Sequence, residues 1–324
     1  MKTIFTICSN NYLAQAKTLG DSVLKYAKDY KFIIILCDKF SECIDYSIYK
    51  NFKLIEAQNL GIKNFNNMVE DYDIVELNTS IKPFSFQYIY DNFNSDTVIY
   101  LDPDTCLFNS LDIIDSDLKD SDMVLTPHIC TPINDDGLYP QENLFTNYGM
   151  FNLGFLATKK SNETKKMLSW WKERLTKNCK NDVANGTFVD QLPMNYTPLF
   201  FKNVKINTNP GLNAAPWNIH ERKLKLINGK YFINNNKSPL VFWHFSSYNP
   251  STPEQLSKWY TRMEQYKDEC LINFYNSYMQ SLFSNNWKRL YKIPCAYNKK
   301  HKPGQNKKIT GKILNYFKIL RCIK

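Results

Sequence analysis

Phe32–Cys37 (FIIILC) is a continuous apolar run with no polar position in it. A strand with one solvated face alternates apolar and polar residues, so an unbroken run describes a strand covered on both faces. Strands of that kind belong to parallel sheets enclosed by helices. The neighbouring sequence supplies the partners. Thr3–Cys8 is a second apolar run, and Tyr12–Lys28 carries Leu13, Ala16, Val23, Leu24 and Ala27 at helical spacing. Phe84–Phe93 reads as a further helix, and Thr97–Leu101 as a strand ending at Asp102. This rhythm predicts an α/β fold, with a mostly parallel, doubly wound central sheet flanked by helices and joined by right-handed crossovers.

The second half is less regular. Met123–Thr126 and Phe151–Ala157 read as strands, and Glu163–Lys177 as a helix with Leu168, Trp171 and Leu175 on one side. Pro127–Asn147 holds His128, Pro132, Asp135-Asp136-Gly137 and Pro140, so a long loop is expected, and long loops in compact domains are usually functional. Leu224–Ile233 reads as a hairpin turning at Asn228-Gly229, Leu240–Phe245 as a strand carrying His244, and Pro253 to about Leu290 as helical. The length of 324 residues accommodates one large α/β domain with an appendage, or two small domains.

The net charge of +10 is unevenly distributed. No acidic residue follows Glu269, and twelve of the 41 Lys and Arg lie from Lys288 onward, leaving 29 against 31 acidic residues before it. The basic character belongs to a tail and not to a nucleic-acid-binding face, so no nucleic-acid partner is expected. Within the tail, Ile313, Leu314, Phe317 and Leu320 recur at helical spacing among Lys312, Lys318 and Arg321, the pattern of a basic amphipathic helix on an anionic membrane surface. The nine Cys show no CxxC spacing and an odd count, which fits a reducing cytoplasm better than a disulfide framework. Met1–Cys8 is too short for a signal-peptide core, and no run is long enough to span a bilayer. A cytoplasmic protein, peripheral on the inner face of the plasma membrane, is the expectation.

The chemistry concentrates at Asp102-Pro103-Asp104. The apolar strand Val98–Leu101 delivers two carboxylates at its C-terminal end, where open α/β sheets bind ligands. Asp and Pro also favour turns, but two adjacent acids repel unless a cation intervenes, and hard divalent ions take oxygen ligands while leaving places for phosphate. His244, in Phe242–Ser246, is either a hydrogen-bonded core residue or a third ligand, since imidazole suits Mn²⁺. Asp190-Gln191, followed by Asn195, either offers sugar contacts or starts a helix with Asp190 as its cap.

In this order, Asn11-Tyr12, a strand ending in DxD, Phe151-Asn152-Leu153-Gly154, Asp190-Gln191 with Asn195, and a late His resemble glycosyltransferase family 8 over about residues 3–250. A bacterial branch of that family matches further at Trp170-Trp171, Phe188–Gln191, Asn213, Trp217-Asn218 and His244–Ser247. The resemblance implies a GT-A fold and a sugar transferase that retains anomeric configuration, with UDP-sugar favoured over GDP-sugar as donor and Mn²⁺ or Mg²⁺ as cofactor. It implies Asp102, Asp104 and His244 as metal ligands. Ser9, Asn11 and Tyr12 would hold base and ribose, with Lys82 near the diphosphate. Asn152, Gly154, Asp190 and Gln191 would hold the donor sugar, the last two as the catalytic pair. One departure is the end of the motif, His244-Phe-Ser-Ser-Tyr-Asn-Pro250, which lacks the Gly and the Lys of the family pattern. The expected organisation is a catalytic domain over 1–250, packed helices over 251–290 and a basic tail over 291–324. The expected acceptor is a cell-surface glycan or glycolipid, such as lipopolysaccharide or capsule. The competing readings are a nucleotidyltransferase, for which Cys8-Ser9-Asn10-Asn11 is a poor phosphate loop, and an inactive membrane-associated assembly protein, against which the intact acidic pair argues.

Overall fold

The structure is a computed structural model and describes residues 1–235 and 238–298. Seven strands carry the fold up to residue 160: β1 (Lys2–Cys8), β2 (Tyr30–Leu36), β3 (Lys53–Glu56), β4 (Thr97–Leu101), β5 (Thr105–Leu107), β6 (Met123–Leu125) and β7 (Phe155–Lys159). All but β5 join Val204–Ile206 in one seven-stranded sheet, ordered Val204–Ile206, β6, β7, β4, β1, β2, β3. Every neighbouring pair is parallel except those that β7 makes with β4 and β6. The mostly parallel doubly wound sheet is therefore present.

The apolar runs explain its burial. Along β1, Ile4 and Cys8 enter one hydrophobic cluster while Phe5 and Ile7 enter the other; along β2, Ile34 and Leu36 alternate in the same way with Ile33 and Ile35. Both faces are thus covered, as the period of two requires. Helix α1 (Leu13–Tyr26) packs in the first cluster. On the other face lie α2 (Phe65–Asp71), α3 (Ile74–Ser80) and α4 (Lys82–Asn92), with α5 (Asp112–Asp120) back on the first. A capping box between Asp73 and Glu76 starts α3, satisfying amide groups that a helix end leaves free. Asn228 and Gly229 turn the expected hairpin with φ of 49° and 74°, the left-handed geometry that Asn-Gly supplies.

Four expectations are corrected. The strand expected at Phe151–Ala157 begins only at Phe155, because Asn152–Gly154 are held in a tight polar turn. The long loop ends in a helix, α6 (Glu142–Tyr148), preceding α7 (Asn162–Lys177). The rest of that loop is ordered by the buried guanidinium of Arg262, which forms two hydrogen bonds of 2.6 and 2.7 Å to Asp136. Residues 253–260 are not helical, and Thr261 and Arg262 bond to loop 134–139; helix appears as a 3-10 turn at Thr261–Tyr266, then over Glu269–Ser284, capped by Asp268, and over Trp287–Leu290. Trp287–Leu290 packs on α1 and on the turn Asn10–Tyr12, and the following residues reach Asp38 after β2 and α2, with the Tyr297 ring 5.6 Å edge-on to Phe65. The expected interfacial helix, Ile309–Ile323, lies outside the described residues. Among the described residues no helix is long and apolar enough to cross a membrane.

Candidate active site

β4 is buried from Val98 to Leu101, and the chain turns immediately after it. The amide and hydroxyl of Thr105 both donate to the Asp102 carbonyl, at 3.0 and 2.7 Å, and redirect the chain into β5. β5 pairs antiparallel with Phe242–His244, with Thr105 opposite His244. This short ladder is what brings a late histidine against the two aspartates. His244 Nε2 lies 3.0 Å from Asp104 and 3.7 Å from Asp102, and ligand atoms of all three residues fall within 4.8 Å of one another.

Burial alone would favour neutral forms at His244 and Asp104. Their mutual attraction overrides it, raising the His244 pKa and lowering that of Asp104. Two carboxylates and an imidazole form an oxygen-rich donor set with one borderline nitrogen, which suits Mn²⁺ or Mg²⁺. The space is reserved by Gly154. A Cβ there would lie 2.5 Å from His244 Cε1, 2.7 Å from Asn152 Oδ1 and 2.8 Å from Asp102 Oδ2. The residues present therefore fit a divalent cation.

Behind this triad lies a dense polar cluster. Lys82, 3% exposed at the start of α4, reaches Asp190 at 2.8 Å, Asp102 at 3.6 Å and the Leu153 carbonyl at 2.8 Å. Burial would strip its proton, but Asp190 and Asp102 hold its pKa above the ordinary value. Burial raises the Asp190 pKa, and Lys82 opposes that rise. Gln191 Oε1 accepts from the Leu153 amide at 3.0 Å and from Asn152 at 3.4 Å, while its Nε2 donates to the Tyr148 carbonyl at 2.9 Å. Asn152 accepts from the Gly154 amide and from Asn213, and donates to His128 Nε2 at 3.2 Å. Asp190 and Gln191 do not cap a regular helix: Lys82 holds one, and the turn that carries Asn152 holds the other.

On the opposite side opens a cleft of about 330 Å³, lined by Ser9, Asn11 and Tyr12 after β1, by Asn78 and Thr79 of α3, and by Tyr100, Asp102 and Asp104. The three residues expected to meet base and ribose thus share a cleft with two expected metal ligands. Lys82, expected near the diphosphate, does not line this cleft but lies 3.6 Å from Asp102, which does. Trp217 packs edge-on to His244 at 5.0 Å, Asn218 donates to the His128 carbonyl, and Asn195 accepts from the Met150 amide.

Five contributors escaped the sequence reading. Tyr100 donates to Asp102 Oδ1 at 2.5 Å from within an apolar strand, where its hydroxyl was the only hint. His128 orients Asn152 from what reads as loop. Asn78 and Thr79 lie on a helix whose one clear signal is the Asp73–Glu76 spacing. Asp38, just past β2, is buried and accepts from the amides of Asn10, Lys39 and Ala296; its sign was an acid ending an apolar strand, the same sign as Asp102.

No protein-family model matches the chain. Two Bacillus subtilis (strain 168) proteins are similar to it in sequence. The uncharacterised protein YfnF is 26% identical over 247 residues, 75% of this chain and 80% of its own length. The uncharacterised protein YfnD is 22% identical over 291 residues, 86% and 87%. Among solved structures, the galactosyltransferase LgtC, determined with donor and acceptor sugar analogues, superposes with a TM-score of 0.50 at 19% identity, covering 90% of this chain and 97% of that one. With the sheet order, the strand ending in DxD and the late histidine laddered beside it, the chain has the GT-A fold.

Proposed function

We propose that this protein is a metal-dependent glycosyltransferase that moves a sugar from a nucleoside diphosphate, UDP favoured over GDP, onto a glycan or glycolipid acceptor with retention. The observation that carries the reading is the convergence of Asp102 and Asp104, which follow β4 and line the cleft, with His244 of the strand laddered beside them. A divalent ion held by these three would act as a Lewis acid, offsetting the negative charge that grows on the departing diphosphate.

The chain's own groups do the remaining work. Gly154 keeps the space above the triad clear. Ser9, Asn11 and Tyr12 would hold the nucleoside, with Asn78 and Thr79 opposite. Lys82 keeps Asp190 charge-compensated in a buried position, where it would meet the donor sugar beside Asn152 and Gln191. Transfer breaks the bond from the anomeric carbon to the phosphate oxygen and forms one to the acceptor oxygen. With retention the acceptor approaches from the leaving-group face, and the departing phosphate oxygen takes its proton, so no protein base is required. The carbon passes through an oxocarbenium-like state, as in glycoside hydrolysis. A cytoplasmic location at the inner membrane face, with the basic tail on anionic lipid, would put the site beside a lipid-linked acceptor.

The test is incubation with a panel of UDP- and GDP-sugars and Mn²⁺. A transferase releases a nucleoside diphosphate, whereas a nucleotidyltransferase exchanges pyrophosphate. A chain that binds neither metal nor nucleotide sugar by calorimetry is an inactive assembly protein, and the proposal fails.

A further inference from the structure

The cleft wall on the nucleoside side depends on a segment far from it in sequence. Asn285 donates to Thr18 Oγ1 at 2.9 Å and to Asp21 at 3.1 Å, fixing the end of the Glu269–Ser284 helix on α1. Trp287–Leu290 then packs on the turn Asn10–Tyr12. Arg289 donates to the Cys43 carbonyl at 2.8 Å. The Ala296 amide donates to Asp38 Oδ1 at 2.8 Å, and the Cys295 thiol approaches the Cys37 carbonyl at 3.8 Å. Asp38 is 1% exposed, and its other oxygen accepts from the Asn10 amide at 3.1 Å. Ser9 meanwhile donates to the Cys37 carbonyl at 3.3 Å.

One buried carboxylate therefore joins three separate pieces of chain: the loop after β1, the loop after β2, and this strap. Asp38 lines no part of the cleft; through it, and through the packing of Trp287–Leu290 on Asn10–Tyr12, the strap fixes the loop that carries Ser9, Asn11 and Tyr12.

We propose that Asn285–Asn298 is a positioning element of the donor site, whose docking through Asp38 is coupled to binding of the nucleoside diphosphate. The inference rests on the transferase reading. If the docked strap favours the binding-competent loop, bound donor must by reciprocity favour the docked strap. A charge-assisted hydrogen bond to a buried carboxylate is among the stronger single contacts available for this purpose. The coupling belongs to binding and not to the chemical step, because the metal triad and the Lys82–Asp190 pair are built on the turn after β4, the Phe242–His244 strand, α4 and the segment after Phe188, outside the clamp.

The test uses the full chain. Ala296→Pro removes the one amide of the strap that reaches Asp38, leaving those of Asn10 and Lys39 in place. It should weaken UDP binding in the presence of Mn²⁺ by about tenfold in calorimetry, raising KM for the UDP-sugar while kcat stays within about twofold. Tyr297→Ala, which loosens only the anchor on Phe65, should act in the same direction by a smaller factor. Maleimide labelling of Cys37, read by peptide mapping, reports strap release directly, since Cys37 is fully buried beneath it. Labelling should rise in both variants, and UDP with Mn²⁺ should slow it in the native chain. Faster Cys37 labelling with unchanged UDP affinity in Ala296→Pro overturns the coupling, as does native labelling that ignores UDP. If the native chain binds no nucleoside diphosphate, the donor reading itself fails and the coupling falls with it.

Discussion

The two halves of the cleft are built on opposite terms. On the sugar side the polar groups are already committed to each other: Lys82 to Asp190, Gln191 to the Leu153 amide and Tyr148 carbonyl, and Asn152 to Gly154, Asn213 and His128. Lys82, Asp190, Gln191, Asn152 and His128 are all buried. On the nucleoside side Tyr12 is 45% exposed, and Asn78 Oδ1 has no hydrogen-bond partner. A buried network of mutual hydrogen bonds fixes geometry at the cost of freedom, even with His128 Nδ1 and Asn213 Oδ1 left unpartnered in it, whereas exposed groups remain open to a ligand. The sugar side should therefore fail by losing shape, and the metal and nucleoside side by losing charge or contacts.

The largest expected effect is at the metal triad. Asp104→Asn or Asp102→Asn should reduce Mn²⁺-dependent turnover by about a thousandfold or more, with the melting temperature little changed, because charge and not packing is used there. Near-native turnover with Mn²⁺ in either variant would remove the metal assignment.

Lys82→Met should behave oppositely. It leaves Asp190 buried without its cation, so the chain should lose on the order of 3–5 kcal/mol of stability in urea melts. Asp190→Asn in the same chain should return most of it. A Lys82→Met protein as stable as the native one would mean that the sugar side is not a closed network.

Gln191→Ala should lower transfer roughly tenfold to a hundredfold while changing UDP affinity by no more than about threefold. It loosens the turn at Asn152–Gly154 and spares the nucleoside contacts. Parallel losses in both measurements would merge the two halves.

The smallest effect concerns acid. Burial pushes the His128 pKa down to about 3, so the native chain refuses a proton that the unfolded chain accepts below about pH 6.5. Its contribution is complete above that pH and declines as pH falls toward the native value. At pH 6 the loss should be about 1 kcal/mol relative to pH 8, and His128→Gln should lack that component. Identical pH profiles for the two chains would show that His128 is solvated.

What could be read in the sequence follows from range. Phe32–Cys37 and Val98–Leu101 announce buried strands because both faces of each are apolar, and a carboxylate pair after such a strand is a local pattern. Asn152 and Gly154 were misplaced onto a strand, since Phe151–Ala157 is apolar enough to read as one; only the hydrogen bonds that Leu153 and Asn152 donate to Gln191 and His128 show why it starts later. Asp38 and Arg262 were overlooked for the same reason. Each is explained by partners more than 100 positions away, Ala296 for one and Asp136 for the other, and no short window contains both ends. The weak helix signals at α2 and α3 reflect short elements held by packing, with propensity contributing little.

The reversed direction of β7 has a practical bearing on how this protein could be handled. Because it runs against β4, its first residue faces Leu101 and its last faces Thr97. The bend that follows at Lys160-Ser161 therefore lies at the end of the strands opposite the cleft, about 15 Å of strand away from Asp102. A dye or surface linker attached at Lys160 would leave the entrance free, so immobilised or fluorescently tracked enzyme could be fed donor and acceptor without obstruction.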